Sequence, residues 1–335
     1  MLKAVISTAP FASVDSRPID LLRDAGIHVT PNPYGRWPTE AELCDLVRDA
    51  DLFIAGTEPI TDRVMAAAPR LRLISRVGIG LDNVDLSAAR RRNIAVSYTP
   101  DAPAPAVAEL TIALMLSLLR HVHAADRLVR SGGWHRFLGR RLGELTVGII
   151  GIGRVGRRVV DLLQPFGARV LANDVRAVPG VAGVTWVEKD AIYEQADVIT
   201  LHVPLTMQTE DMMRTAEIGR MKPDAVLINT SRGGIVNEAD LASALRAGRI
   251  AGAAIDVFTH EPYRGELAAI ERCLVTCHMG SMSIDCRMRM ELEATENVLH
   301  FLRHGTPLQP VPEEEYRLHE GRARSAPAGN SPAAT

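Results

Sequence analysis

Three glycines in Gly151-Ile-Gly-Arg-Val-Gly156 stand at the spacing that lets a backbone approach a pyrophosphate. Gly151 suits a tight turn, Gly153 removes the Cβ that would block a phosphate, and Gly156 lets a helix pack closely on a strand. Asp174 follows 18 residues after Gly156. A carboxylate there would accept hydrogen bonds from adenosine ribose hydroxyls and repel a 2′-phosphate, which favours NAD, while Arg176 keeps NADP open. Three further residue types suit proton and carboxylate chemistry. They are Arg232 in Asn229-Thr-Ser-Arg-Gly-Gly234, Glu261 in Asp256-Val-Phe-Thr-His-Glu-Pro, and His278 in Thr276-Cys-His-Met-Gly280. Histidine exchanges protons near neutral pH, and a carboxylate partner orients it and raises its basicity. Arginine holds a carboxylate bidentately and polarises a neighbouring carbonyl. Taken singly, an arginine in a loop is usually solvated, and a histidine after a strand is more often structural. Together, beside a nucleotide turn, they form a usable set for moving a hydride to or from a hydroxyl-bearing carbon.

These residues need a scaffold, and the apolar pattern supplies one. Thr146–Ile150 reads as a strand leading into the glycine turn, residues 154–163 as a helix stopped by Pro165 and Gly167, and Arg169–Ala172 as the next strand. That is the βαβ context the glycine motif requires. Val198–Val203, Ala225–Thr230, Gly252–Val257 and Leu274–Cys277 complete six strand candidates in this half. Their apolar runs lack clean alternation, so both faces are covered and the sheet is parallel. Arg232, Glu261 and His278 each follow a strand's C-terminal end, the edge where open α/β sheets bind ligands. Leu2–Ser7, His28–Thr30, Asp51–Ala55 and Leu71–Arg76 predict a smaller doubly wound sheet in the first hundred residues. Residues 105–130 predict one long helix, apolar on most sides and therefore buried between domains or subunits. A last helix is expected near 285–303. The stretch 313–335 holds only Tyr316 and Leu318 as large apolar side chains and reads as a disordered tail.

Composition narrows the function classes. Among 335 residues, 38 Lys plus Arg against 40 Asp plus Glu give a net charge of −2 with no basic stripe, so nucleic acid is not the expected partner. Lys3, Lys189 and Lys222 are the only lysines, and none stands in a Schiff-base or P-loop motif. Four cysteines do not make a disulfide framework, and the C-x3-CH-x7-C run from Cys273 lacks a second close pair, so no metal is expected. The first residues run straight into a strand without an apolar leader, and Leu110–Leu119 is too short an apolar run to span a bilayer. A cytoplasmic protein without a membrane partner is the expectation.

The motifs in their order resemble the D-isomer-specific 2-hydroxyacid dehydrogenase family to about residue 305: the glycine turn, Leu201-His-Val-Pro-Leu-Thr206, Asn229–Gly234, Asp256-Val-Phe and His278. Gly56-Thr-Glu-Pro-Ile-Thr61, Gly80-Leu-Asp-Asn-Val-Asp85 and Ala108-Glu-Leu-Thr111 look most like its phosphoglycerate dehydrogenase branch. The resemblance implies an α/β fold of two doubly wound parallel-sheet domains: a Rossmann domain over 101–285 and a flavodoxin-like substrate domain over 1–100 with 286–310, the site lying in a cleft between them. It implies NAD as cofactor, held by Gly151, Gly153, Arg154, Val155, Gly156, Asp174, His202, Pro204, Thr230, Asp256 and Gly280, with Asp256 on the nicotinamide carboxamide. Arg232 would bind the substrate carboxylate, Glu261 would orient His278, and His278 would act as the general acid and base. Arg76 and the backbone amides of Val77 and Gly78 would take the other side of a small anionic substrate. The helix over 105–130 is similar to the family's dimerisation element, which implies a homodimer.

The implied activity is NAD-dependent interconversion of a 2-hydroxy acid and its 2-oxo acid, with phosphoglycerate, another anionic acid or a hydroxyphosphonate as substrate. The alternative is an NAD-sensing, corepressor-type binding protein on the same fold. Cys277 replaces the proline usual before the histidine, Gly280-Ser-Met-Ser283 replaces a more aromatic run, and Ala55 stands where some phosphoglycerate enzymes carry an arginine. No regulatory domain is expected after residue 312.

Overall fold

The computed structural model describes residues 1–176 and 178–320. They form two compact units: Met1–Ala102 together with the chain from Ile284 onward, and Pro103–Ser283.

In the first unit, β1 (Lys3–Ile6), β2 (His28–Pro31), β3 (Leu52–Ala55), β4 (Leu73–Arg76) and β5 (Ala95–Ser97) form a parallel sheet in the order β2-β1-β3-β4-β5. Leu-Phe-Ile-Ala of β3 and Leu-Ile-Ser-Arg of β4 are buried throughout, as central strands covered on both faces must be. The helix Ile284–His304 packs on this sheet, where the buried Ser75 hydroxyl donates to the Ala294 carbonyl at 2.8 Å. The chain then returns along β5 through an antiparallel bridge between Ser97 and Pro310.

The expected disordered tail needs correction over its first residues, because Glu313–Glu320 is a helix. Three glutamates in its first turn complement the positive end of the helix dipole. Arg90 pairs with Glu313 at 2.6 Å and lies 3.9 Å over the Tyr316 ring, which packs against the first unit's core. Low apolar content is the wrong criterion here: one aromatic ring and one arginine suffice to dock a single short helix. Residues 321–335 of that tail lie outside the described residues.

In the second unit, β6 (Thr146–Ile150), β7 (Arg169–Asn173), β8 (Val184–Trp186), β9 (Val198–Leu201), β10 (Val226–Asn229), β11 (Gly252–Ile255) and β12 (Cys273–Val275) form one parallel sheet. Its order, β12-β11-β10-β9-β6-β7-β8, reverses direction between β6 and β9, the switch point beside which such sheets hold dinucleotides. Six of these strands carry the apolar runs seen in the sequence. The seventh, β8, is a short edge strand whose Thr185 and Trp186 are exposed, so it lacks that signal.

The single helix expected over 105–130 is two, Ala104–Leu119 and Val122–Arg130, bent by 63°. His121 makes the break with a left-handed backbone (φ 54°), a conformation no apolar pattern announces in a histidine. Ala108, Ile112, Met115 and Leu118 of the first helix pack with Val147, Ile149 and Val159. Its wide apolar surface is thus used inside its own unit. Among the described residues no single helix is long and apolar enough to cross a membrane.

Candidate active site

The three residues proposed for chemistry leave three neighbouring parallel strands at their C-terminal ends. Arg232 follows β10, Asp256 and Glu261 follow β11, and His278 follows β12. Glycine brings the first two loops together: a Cβ on Gly233 would lie 2.0 Å from the Phe258 carbonyl carbon. Asn229 shapes the arginine loop from within. Its amide donates to the Arg232 carbonyl at 2.9 Å, and its side-chain oxygen accepts from the Ser231 amide and hydroxyl. The Arg232 guanidinium donates to the Ser231 carbonyl at 2.6 Å.

Glu261 holds His278 through a 2.8 Å contact between Oε2 and Nδ1. Its other oxygen accepts from the Phe258 amide at 3.0 Å, so the carboxylate cannot swing away without losing a backbone donor. With Nδ1 engaged, Nε2 is the imidazole nitrogen left for a substrate. The His278 backbone is left-handed (φ 53°) and is tied by its own amide to the Asp256 carbonyl at 2.7 Å. An unusual backbone here aims the ring, and the surrounding bonds hold it there.

Asp256 supplies most of that hold. It is fully buried; Oδ1 accepts from the Thr276 hydroxyl at 2.6 Å and the Met279 amide at 2.9 Å, and Oδ2 from the Gly280 amide at 3.0 Å. These oxygens fasten the loop on both sides of His278. A strand-end aspartate is visible in sequence, but its partners twenty or more residues away are not. Thr276 and Asn229 are therefore positioning residues that the sequence reading does not single out. Thr230 is buried and its hydroxyl meets that of Thr111 at 2.8 Å, another pairing without a local signal.

The glycine turn fits a dinucleotide. Gly151 has a left-handed φ of 95° and approaches the His202 carbonyl, which an added Cβ would meet at 2.4 Å; a Cβ on Gly156 would strike the Gly151 carbonyl at 2.0 Å. At Gly153 an added Cβ would meet nothing within 4 Å. The backbone is open there, at the start of the helix Arg154–Leu163, so the first amides of that helix and the turn would hold a pyrophosphate. Arg154 is exposed beside this opening, and Val155 is half-buried against the core. Asp174 accepts from the Ile152 amide at 2.7 Å and the Arg176 amide at 3.2 Å. His202 contacts the Thr200 hydroxyl at 3.0 Å through Nε2, and its buried Nδ1 has no partner among the described residues. Burial pushes its imidazole down to about 3, so it stays neutral and is no second proton donor. Pro204 is exposed, its carbonyl accepting from Thr209.

The residues expected from the first unit have other partners. Arg76 is buried, its guanidinium donating to Asn83 at 3.1 Å and to the Val77 carbonyl. The Val77 amide donates to the Ala55 carbonyl at 2.8 Å, and the Gly78 amide to the Thr99 hydroxyl at 2.8 Å. The N–H groups of Val77 and Gly78 and the Arg76 guanidinium, expected to face a small anionic substrate, are thus engaged within the first unit in this structure. A glycine-rich loop looks like a donor array in sequence, but here neighbouring segments of the same unit consume it.

A Rossmann turn with an Arg–Glu–His set on adjoining strand ends defines a pyridine-nucleotide-dependent oxidoreductase. Residues 112–280 match the family described as "D-isomer specific 2-hydroxyacid dehydrogenase, NAD binding domain", and the chain belongs to that family. It is 35% identical over 284 residues to the glyoxylate reductase of Thermococcus litoralis, covering 81% of this chain and 86% of that one. It is 32% identical over 305 residues to the D-3-phosphoglycerate dehydrogenase of Synechocystis sp., covering 89% of this chain. The chain spans about half the length of that relative, 54%. Among solved structures, a protein from Thermus thermophilus superposes with a TM-score of 0.85 at 33% identity, over 93% of this chain and all of that one. The D-lactate dehydrogenase of Aquifex aeolicus, complexed with NAD and lactic acid, gives 0.79 at 26% identity, over 91% of this chain and 98% of that one.

Proposed function

We propose that the chain catalyses NAD-dependent interconversion of a short, unphosphorylated 2-hydroxy acid and its 2-oxo acid. The His278–Glu261 pair, on the strand ends next to the Arg232 loop, carries this reading. Bound NAD supplies the hydride acceptor, and NADH the donor. Arg232 holds the substrate carboxylate and polarises the adjacent carbonyl. Neutral His278 takes the hydroxyl proton at Nε2 during oxidation, and protonated His278 returns it to the ketone oxygen during reduction. Glu261 keeps Nδ1 protonated and stabilises the imidazolium. The intact pair favours this reading over a protein that only senses NAD.

The buried, engaged Arg76 supports an unphosphorylated substrate, since a distal phosphate loses its expected anchor. Glu58, also buried, adds a carboxyl group beside Gly56, whose amide donates to it at 2.9 Å. Glyoxylate reductase and hydroxypyruvate reductase are the names of relatives whose length this chain spans to 86%. NADH oxidation with glyoxylate, hydroxypyruvate, pyruvate and 3-phosphohydroxypyruvate tests the reading. Turnover is expected to be fastest with glyoxylate or hydroxypyruvate. Preference for the phosphorylated acid would overturn the substrate class, and NADH binding without turnover on any of them would overturn the reaction.

The same reading includes a homodimer, now through Val122–Arg130 and the segment after it. That helix buries none of its residues, and Val122, Val129, Trp134 and Leu138 are each more than half exposed. Four large apolar side chains exposed within one stretch of 17 residues favour cover by a second copy over contact with water. Sedimentation velocity is expected to show a dimer that Val129→Glu with Trp134→Glu converts to a monomer. A wild-type monomer at micromolar concentration sinks this part.

A further inference from the structure

The turn that carries Arg232 moves as one piece, since the Asn229 side chain bonds both Ser231 and the Arg232 carbonyl. Whatever holds Thr230 within it therefore also sets the guanidinium two residues on. Thr230 is buried, and its hydroxyl reaches out of the turn to Thr111 on the helix Ala104–Leu119 at 2.8 Å. Thr111 is fully buried as well, and its hydroxyl donates to the Val107 carbonyl, one helical turn back, at 2.8 Å. A hydroxyl has one proton to give. With the Thr111 proton on Val107, the proton between the two threonines belongs to Thr230, and Thr111 is its acceptor.

The same helical turn touches the loop that carries His278. An added Cβ on Gly280 would meet Val107 Cγ2 at 3.2 Å and Asp256 Oδ2 at 3.3 Å, so that backbone runs close against the helix. The helix is a firm support: Ala108, Ile112 and Met115 share a core cluster with Ile228 of β10 and Ala254 of β11. Residues 107 to 111 thus brace the arginine loop by a hydrogen bond and the histidine loop by packing. Packing alone gives no reason for a hydroxyl at 111, because valine has the same shape without a polar group to bury.

We infer that Thr111 is a positioning residue: it accepts the Thr230 hydroxyl and so fixes the Arg232 turn against the helix. The inference rests on the proposed role of Arg232 as holder of the substrate carboxylate. Thr111→Val keeps the shape but strands the buried Thr230 donor, which must shift to find another acceptor. Oxamate, an unreactive carboxylate isostere of pyruvate, reads the consequence by calorimetric titration of the full chain saturated with NADH. Thr111→Val is expected to bind oxamate about 10-fold more weakly than the wild type, with NADH affinity unchanged, and Thr111→Ser, which keeps the acceptor, to restore most of the loss. Denaturant unfolding tests the direction of the bond: Thr111→Val is expected to be less stable than the wild type. Adding Thr230→Val to it is expected to recover stability, because the stranded donor is then gone. Oxamate affinity unchanged in Thr111→Val, or a weakening that Thr111→Ser shares, would overturn the positioning role. A double variant no more stable than Thr111→Val would overturn the bond on which it depends. Failure of the wild type to turn over any 2-oxo acid while these differences hold counts against the proposed reaction alone.

Discussion

Replacing His278 with asparagine is expected to lower turnover by about 10²- to 10⁴-fold, the usual contribution of a positioned general acid and base, while NAD affinity stays unchanged. Asparagine is the informative substitute. His278 sits at φ 53°, and asparagine tolerates left-handed backbone better than alanine does, so the loop keeps its shape while the titrating ring is removed. Nε2 is the nitrogen of His278 left to act, because Nδ1 is occupied by Glu261 at 2.8 Å. Loss of the ring therefore removes proton transfer without touching the glycine turn on the far strands of the sheet. Stopped-flow measurement of NADH oxidation with titration of NAD binding checks both halves. Retention of turnover within about tenfold of the wild type, or equal loss of NAD affinity, would remove His278 from the proposed role.

The sequence carries the second unit's site unevenly. The glycine turn is legible because each glycine has a local steric cause: Gly151, Gly153 and Gly156 respond to a turn, an opening and a close contact. Arg232, Glu261 and His278 are legible as polar residues closing apolar runs, a pattern that parallel strands produce at one edge. Partnership is not legible. Asp256 binds three donors twenty or more residues downstream, Thr230 after its strand meets Thr111 on the helix Ala104–Leu119, and the Gly78 amide goes to Thr99, past the end of the neighbouring strand. Each is set by register between elements, and residue order does not encode it. The break at His121 has no warning either, since no glycine or proline marks it. The helix Glu313–Glu320 is a different case. Pro312 followed by three glutamates is an N-terminal helix signal, but the scarcity of apolar residues argues against it until Arg90 and Tyr316 are seen together.

Asp256→Asn is the second large effect expected, and it separates positioning from chemistry. The native carboxylate accepts from three donors through two oxygens. An asparagine keeps one acceptor oxygen and adds an NH₂ group, and no rotation of that amide satisfies all three. With the oxygen toward Thr276 and Met279, the NH₂ faces the buried Gly280 amide; flipped, it faces the other two donors. A buried donor left without an acceptor costs about 1 to 3 kcal/mol, and bonds to a charged acceptor are stronger than those to an amide. The variant is therefore expected to be about 2 to 4 kcal/mol less stable than the wild type. The loop that loosens carries His278, whose own amide is bonded to the Asp256 carbonyl at 2.7 Å. A shift of about 1 Å in an acid–base group costs about 10²-fold in rate, so kcat is expected to fall by that order even where the protein remains folded. Denaturant unfolding and steady-state kinetics at a temperature well below the variant's midpoint read the two effects apart. The distinguishing result is that His278→Asn loses rate without this loss of stability, whereas Asp256→Asn loses both. Unchanged stability in Asp256→Asn would mean the three hydrogen bonds do not hold the loop, and the histidine's left-handed backbone would then need another support.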